Sequence, residues 1–280
     1  MGIKSENTVI FFFRWLHFLA LDAVAVGLVW QELFFRHAAI PIQWKYQLIL
    51  AGAIWLAYMA DRLFDNLSLD PLKPTTRRHA FIRSHWKKIA VVWIVVLVSS
   101  VAFSILQLNF TELMGGLLIV VLINLYFLIL KISRKVPLLG SLKEILTATL
   151  FSIGVSYFPV MSLSESFFNL LYEQVIFGLL CFANILLISH WEHEIDALQE
   201  EAKLSQRSLN RENLLKLVLV SLGFWSIFQV TTQHEIFSWA LLISSLAMWL
   251  LFLEARLRGS RQLKFLIDVP LMLPVIVLFL

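Results

Sequence analysis

The 280-residue chain is 59% apolar and only 15% charged, with a formal net charge of +4. A mean hydropathy of +0.80 and a pI near 9.2 exclude an ordinary soluble domain, which is about half apolar. They also assign the basic residues to orientation in a membrane rather than to nucleic acid.

Apolar runs of spanning or near-spanning length fall at about 8–35, 46–64, 88–108, 112–130, 141–161, 167–190, 213–231, 236–255 and 263–280. At roughly 20 residues per membrane helix they predict about nine spans, hence an all-α polytopic membrane protein with one transmembrane domain over residues 1–280. Asn109 and His234 mark tight turns, and the longest polar stretches are 66–85 and 192–213. Residues 1–7 are short and mixed in charge, so no cleavable signal is expected. Cys181, the single cysteine, lies inside an apolar run and belongs to neither a disulfide framework nor a CxxC metal site.

Lysines and arginines cluster in alternate loops. Lys73, Arg77, Arg78, Arg83, Lys87 and Lys88 share one side with Lys131, Arg134, Lys135 and Lys143, while the other side holds Arg36 and Lys45 and little else. That asymmetry predicts a cytoplasmic N-terminus and a C-terminus on the opposite side, in the cell inner membrane. Trp30, Trp44 and Trp86, near span ends, are expected in interfacial belts.

In chain order, the first ionisable groups inside an apolar run are Arg14, His17 and Asp22. A charge at the bilayer centre costs about 3 kcal/mol on insertion scales, so such groups face a cavity or a partner. Asp22, about 12 Å of helical rise beyond Arg14, is expected to face the bundle interior, where it either orients a bound molecule or locks to Tyr58. Span two ends in Tyr58-Met59-Ala60-Asp61-Arg62-Leu63-Phe64-Asp65. The i,i+4 spacing puts the Asp61 and Asp65 carboxylates on one helix face about 6 Å apart, with Tyr58 on the same stripe. Like charges so placed repel, and hard oxygen ligands on one face suit Mg²⁺ shared with a phosphate. The plainer reading is two solvated carboxylates ending a membrane helix. Span six ends in Ser189-His190-Trp191-Glu192-His193-Glu194-Ile195-Asp196, where Glu192 and Asp196 repeat the spacing. Both pairs close a span running outer to inner, so two carboxylate pairs are expected at the inner face over a basic rim, a site for Mg²⁺ and an anionic phosphate group. Asn124 and Asn184 are expected to make interhelical hydrogen bonds. Asp268, with Pro270 and Pro274 kinking the last span, is expected to be structural and interfacial.

These features resemble the UbiA superfamily of intramembrane prenyltransferases, which have nine transmembrane helices and aspartate-rich motifs after helices two and six. The first family motif reads NDxxDxxxD, and Ala60-Asp61-Arg62-Leu63-Phe64-Asp65 is similar to its second half. Glu192-His193-Glu194-Ile195-Asp196 resembles the second motif, followed by Lys203-Leu204-Ser205. The chain departs from the pattern at Ala57 and Tyr58, where the family's leading Asn and Asp fall, and at Glu192, which replaces an aspartate. The RxxR of the first helix is here Arg14-Trp15-Leu16-His17. The resemblance implies Mg²⁺-dependent transfer of a prenyl group from a prenyl diphosphate to a lipophilic acceptor, with Asp61, Asp65, Glu192 and Asp196 as catalytic metal ligands.

The residues themselves suit such a substrate, a charged head on a long apolar tail. Arg77, Arg78 and His79 follow the turn-rich stretch 71–76 and are expected to close over a diphosphate, to which arginine binds bidentately. Lys131 and Arg134 after span four, with Arg14 and Tyr58, complete the candidate substrate-binding set. For each basic residue, ordinary positive-inside charge is the competing reading. A rival of another class is a non-catalytic membrane transporter or assembly protein that keeps the fold, a reading that Ala57 and Tyr58 favour.

Overall fold

Backbone polar groups in lipid must be satisfied within the chain, and the elements formed are helices. The structure is a computed structural model that describes residues 12, 15–68, 77–133, 142–163, 170–198, 208–233, 235–258 and 266–279, without the side chains of 65–68, 77–79, 130–133, 142, 192–198, 208–211, 233 and 256–258. In order these form α1 (Leu21–His37), α2 (Trp44–Ser68), α3 (Arg77–Gln107), α4 (Phe110–Ser133), α5 (Leu142–Met161), α6 (Leu171–Leu198), α7 (Ser208–Gln233), α8 (Ile236–Arg258) and α9 (Val269–Met272), which continues as a 3₁₀ helix, Leu273–Phe279. Seven of them, α2 to α8, are long and apolar enough to cross a membrane. The chain is an integral, multi-pass, helical membrane protein.

The first and last expected spans are broken. Pro270 sits in the first turn of α9 and Pro274 in the 3₁₀ stretch; proline lacks the N–H that would continue an α-helix. At the other end, Ala20 adopts a left-handed backbone with φ 56°. It separates a short helical turn at 15–18 from α1. No glycine or proline announces this break.

Although only 17 residues long, α1 is the post of the bundle, packed against α2, α5, α8 and the C-terminal segment. Trp30, expected at an interface, is instead fully buried. Its ring stacks on Phe177 of α6 at 4.5 Å, and its indole N–H donates to the Leu271 carbonyl of α9 at 2.9 Å. A tryptophan can leave the interfacial belt when its polar edge finds such a partner. Trp44 and Trp86 do remain exposed. The apolar faces of α3 and α4 point outward as lipid-facing surface; none of the α3 spanning window is buried within the chain.

Around Asn109, the expected tight turn joins α3 to α4 through a capping box. Glu112 N donates to Asn109 Oδ1 and Asn109 N to Glu112 Oε2, both at 2.9 Å, so two orphan donors are satisfied reciprocally. The other Glu112 oxygen accepts from Tyr46 of α2 at 2.6 Å.

At the same end of the bundle, His37 closes α1 between two carboxylates. Its Nε2 lies 3.1 Å from Glu173 of α6 and its Nδ1 3.2 Å from Glu235 ahead of α8. Only the protonated ring can donate to both. This tie therefore stabilises at low pH and is lost as pH rises through the folded-state titration of His37. In detergent, the melting temperature should fall as pH is raised past the ordinary histidine range of about 6.5. Glu173→Gln should flatten that slope, and an unchanged slope would remove the tie from the account.

Candidate functional site

The two acidic motifs lie on uninterrupted helix. α2 continues through Ser68 and α6 through Leu198, so Asp61 and Asp65, and likewise Glu192 and Asp196, stand one turn apart on a face, about 6 Å along each axis. Asp61 is half-buried. The side chains of Asp65, Glu192 and Asp196 lie outside the described residues, as do Arg14 and Arg134 entirely. Arg77, Arg78 and His79, expected just beyond a loop as a cap, form the first turn of α3, which starts well before the apolar run. The extension has an apolar anchor: Ile82 is fully buried with Ala20 and Met59, and Phe81 stacks on Phe18 at 5.4 Å. Lys131 lies in the last turn of α4. Of the side chains of Arg77, Arg78, His79 and Lys131 nothing is described.

What holds the acid-bearing end of α2 is Arg62. The break before α1 frees backbone carbonyls, as any helix end does, and α2 supplies their donors. Arg62 Nη1 donates to the carbonyls of His17 at 2.6 Å and Phe18 at 2.9 Å. Two turns earlier in α2, Trp55 donates to the Leu19 carbonyl at 3.0 Å. Since adjacent helical residues are about 100° apart, locking Arg62 against the turn before α1 also sets the direction in which Asp61 points. Tyr58 lies nearby and meets Phe151 of α5 ring to ring at 6.2 Å.

From this break a chain of polar groups crosses the bundle. His17 Nδ1 lies 2.6 Å from Asp22 Oδ2, and the Ala23 N–H donates to the other Asp22 oxygen at 2.9 Å. Asp22 in turn neighbours Asp268, which precedes α9. Asn184 of α6 donates from Nδ2 to Asp268 Oδ1 at 2.7 Å. The series runs from α2 through the turn before α1 and the C-terminal segment to α6. It sets the acid-bearing ends of α2 and α6 at one end of the bundle. Ser189, on the α6 stripe leading to Glu192, adds a 3.5 Å contact with Glu144 at the start of α5.

Asp22 faces inward as expected, and of its two expected roles the lock is made to His17 rather than to Tyr58. Asn184 makes a bond across the bundle, though to Asp268 in the segment ahead of α9 rather than to another helix. Asn124 does not: its amide donates to Val120 of its own helix at 2.8 Å. Asp268 departs most from expectation, being part of the polar cluster rather than an interfacial group. Its sequence signal was the ionisable residue itself inside an apolar run, masked by the two prolines beside it. No protein family, curated protein or solved structure matches the chain.

The Arg62 anchor makes a direct prediction. Arg62→Ala leaves the part-buried Phe18 carbonyl short of a donor and the His17 carbonyl with only the Ala20 N–H, so thermal unfolding in detergent should show a loss of about 1–3 kcal/mol. Arg62→Lys should recover part of it. A neutral Arg62→Ala would mean that the break before α1 is held by other contacts.

Proposed function

We propose that the chain is an Mg²⁺-dependent prenyltransferase of UbiA type, with nine membrane helices, that moves a prenyl group from a prenyl diphosphate to a lipophilic acceptor inside the membrane. The reading has a cytoplasmic N-terminus, a C-terminus on the opposite side, and membrane lipid as its surroundings. The observation that carries it is the location of both acid-bearing helix ends at one end of the bundle, joined by the series from Arg62 to Asn184.

The donors fit the metal: Asp61, Asp65, Glu192 and Asp196 offer only hard carboxylate oxygens, two on each of two unbroken helix ends, as Mg²⁺ prefers. Bound there, Mg²⁺ supplies positive charge to the diphosphate leaving group. Arg77, Arg78 and His79 in the first turn of α3, with Arg14, Lys131 and Arg134, bind the remaining phosphate oxygens. The bond between the allylic carbon and the diphosphate oxygen breaks, a bond from that carbon to the acceptor forms, and the acceptor gives up a proton. The apolar bundle excludes water from the allylic cation, and the rings of Tyr58 and Phe151 offer it π faces. The competing transporter or assembly protein is favoured by Ala57 and Tyr58, which replace two polar positions of the family motif.

Incubation of the purified protein with labelled prenyl diphosphates and membrane extract, with and without Mg²⁺, separates the two. The enzyme reading expects label in a lipid-soluble product and diphosphate release only with metal; binding without release favours the rival. Asp61→Asn and Asp196→Asn should each remove most turnover, and the double change should cost little more than the worse single, because groups acting as a unit are non-additive. Full activity in Asp61→Asn would reduce the α2 pair to helix-end charge and remove the assignment.

A further inference from the structure

The cluster before α1 has a donor set of its own. His17, Asp22 and Asp268 each offer one ligand atom, and the three atoms lie within 4.8 Å of one another. Asp22 is 5% exposed and Asp268 is part-buried, and two carboxyl groups this close need a proton or a cation between them. Arg62 sits near enough for its charge to act on both, but its Nη1 is directed at the His17 and Phe18 carbonyls. A second observation comes from α6. Asn184 is also 5% exposed; its Nδ2 is bonded to Asp268, while its Oδ1 is buried with no hydrogen-bond partner. The planar amide keeps that oxygen beside the Asp268 carboxyl. A buried carbonyl oxygen without a donor is rare in folded proteins, and a half-turn of the amide would bring it to the place that Nδ2 holds, 2.7 Å from Asp268 Oδ1.

The geometry points to an intramembrane binding site for a first-row divalent transition cation of the Zn²⁺ class, held by His17, Asp22 and Asp268 with Asn184 Oδ1 completing the shell. An imidazole nitrogen beside carboxylate oxygens selects such a metal over Mg²⁺ or Ca²⁺, which take oxygen-only shells. Zinc bonds of about 2.0–2.2 Å to nitrogen and oxygen need ligand atoms roughly 3–4 Å apart, so the 2.6 Å His17–Asp22 pair opens by a few tenths of an ångström and Asp268 closes in. Its three ligands come from the turn before α1, from α1 itself and from the segment ahead of α9, so the ion acts as a clamp. It ties the turn before α1, α6 and the start of α9 beneath the acidic helix ends. This site is separate from the Mg²⁺ ligands proposed above and stands whether or not the chain transfers prenyl groups.

The test uses the full-length protein in detergent, stripped with a chelator and titrated with Zn²⁺ against a chromophoric competitor. One equivalent per chain is expected to bind tightly. Asp268→Asn and His17→Gln should each weaken it tenfold or more, while Asp61→Asn and Glu192→Gln leave it unchanged. Absence of a tight equivalent, or its loss in Asp61→Asn but not in His17→Gln, overturns the site and leaves a cluster that holds a proton. Should a ligand variant fail to fold, zinc-edge X-ray absorption on the unaltered protein decides. A shell of one imidazole nitrogen among oxygens supports the site, and an all-oxygen shell contradicts it.

Discussion

The structure depends on satisfying the backbone carbonyls freed where the chain breaks before α1. In water such a break costs little, because solvent supplies donors. In a bilayer each unmet group costs several kcal/mol, and here the donors are Arg62 and Trp55 of α2. A single cationic side chain therefore joins the turn before α1 to α2, fixes the rotation of the acid-bearing end of α2, and brings positive charge to a cluster containing Asp22 and Asp268. The arginine of the Ala60-Asp61-Arg62 motif acts through geometry: it holds its neighbours in place.

The break also explains why so short a helix can serve as a post. Because α1 begins below the acidic end, the turn before it folds His17 back onto Asp22. Its opposite half carries the aromatic contacts of Trp30 and Phe34 with Phe177 and Phe237. Polar groups thus concentrate at one end of the post and aromatic packing toward the other. At the far end His37 binds α6 to the segment ahead of α8. Helices α3 and α4 present apolar side chains to lipid over most of their length.

Much of this architecture was legible before any coordinates. Runs of hydrophobic residues marked α2 to α8 because lipid demands length and apolarity together, and Asn109 marked the tight turn between α3 and α4, though not its reciprocal bonds with Glu112. The inward aim of Asp22 followed from the cost of an intramembrane charge. Two features were not legible. Ala20 in a left-handed conformation has no local signature, since alanine ordinarily continues a helix; only the tertiary donors Arg62 and Trp55 make the break tolerable. The start of α3 at Arg77 was hidden because its first residues are basic, and helix there rests on Phe81 and Ile82 packing against residues distant in sequence. In the candidate site, spacing put Asp61 and Asp65, and Glu192 and Asp196, one helical turn apart on helices that do continue through them, whereas the meeting of Asp22, Asp268 and Asn184 is a product of folding alone.

The central claim is that the acid-bearing ends of α2 and α6 share one face of the membrane. Sidedness of labelling tests it most directly. In a Cys181→Ala background, Asn66→Cys and Leu198→Cys mark the two helix ends, and Ala39→Cys marks the turn between α1 and α2. With a membrane-impermeant maleimide on sealed vesicles, the first two should be modified from the same side and the third from the other. Modification of Asn66→Cys and Leu198→Cys from opposite sides would contradict the account.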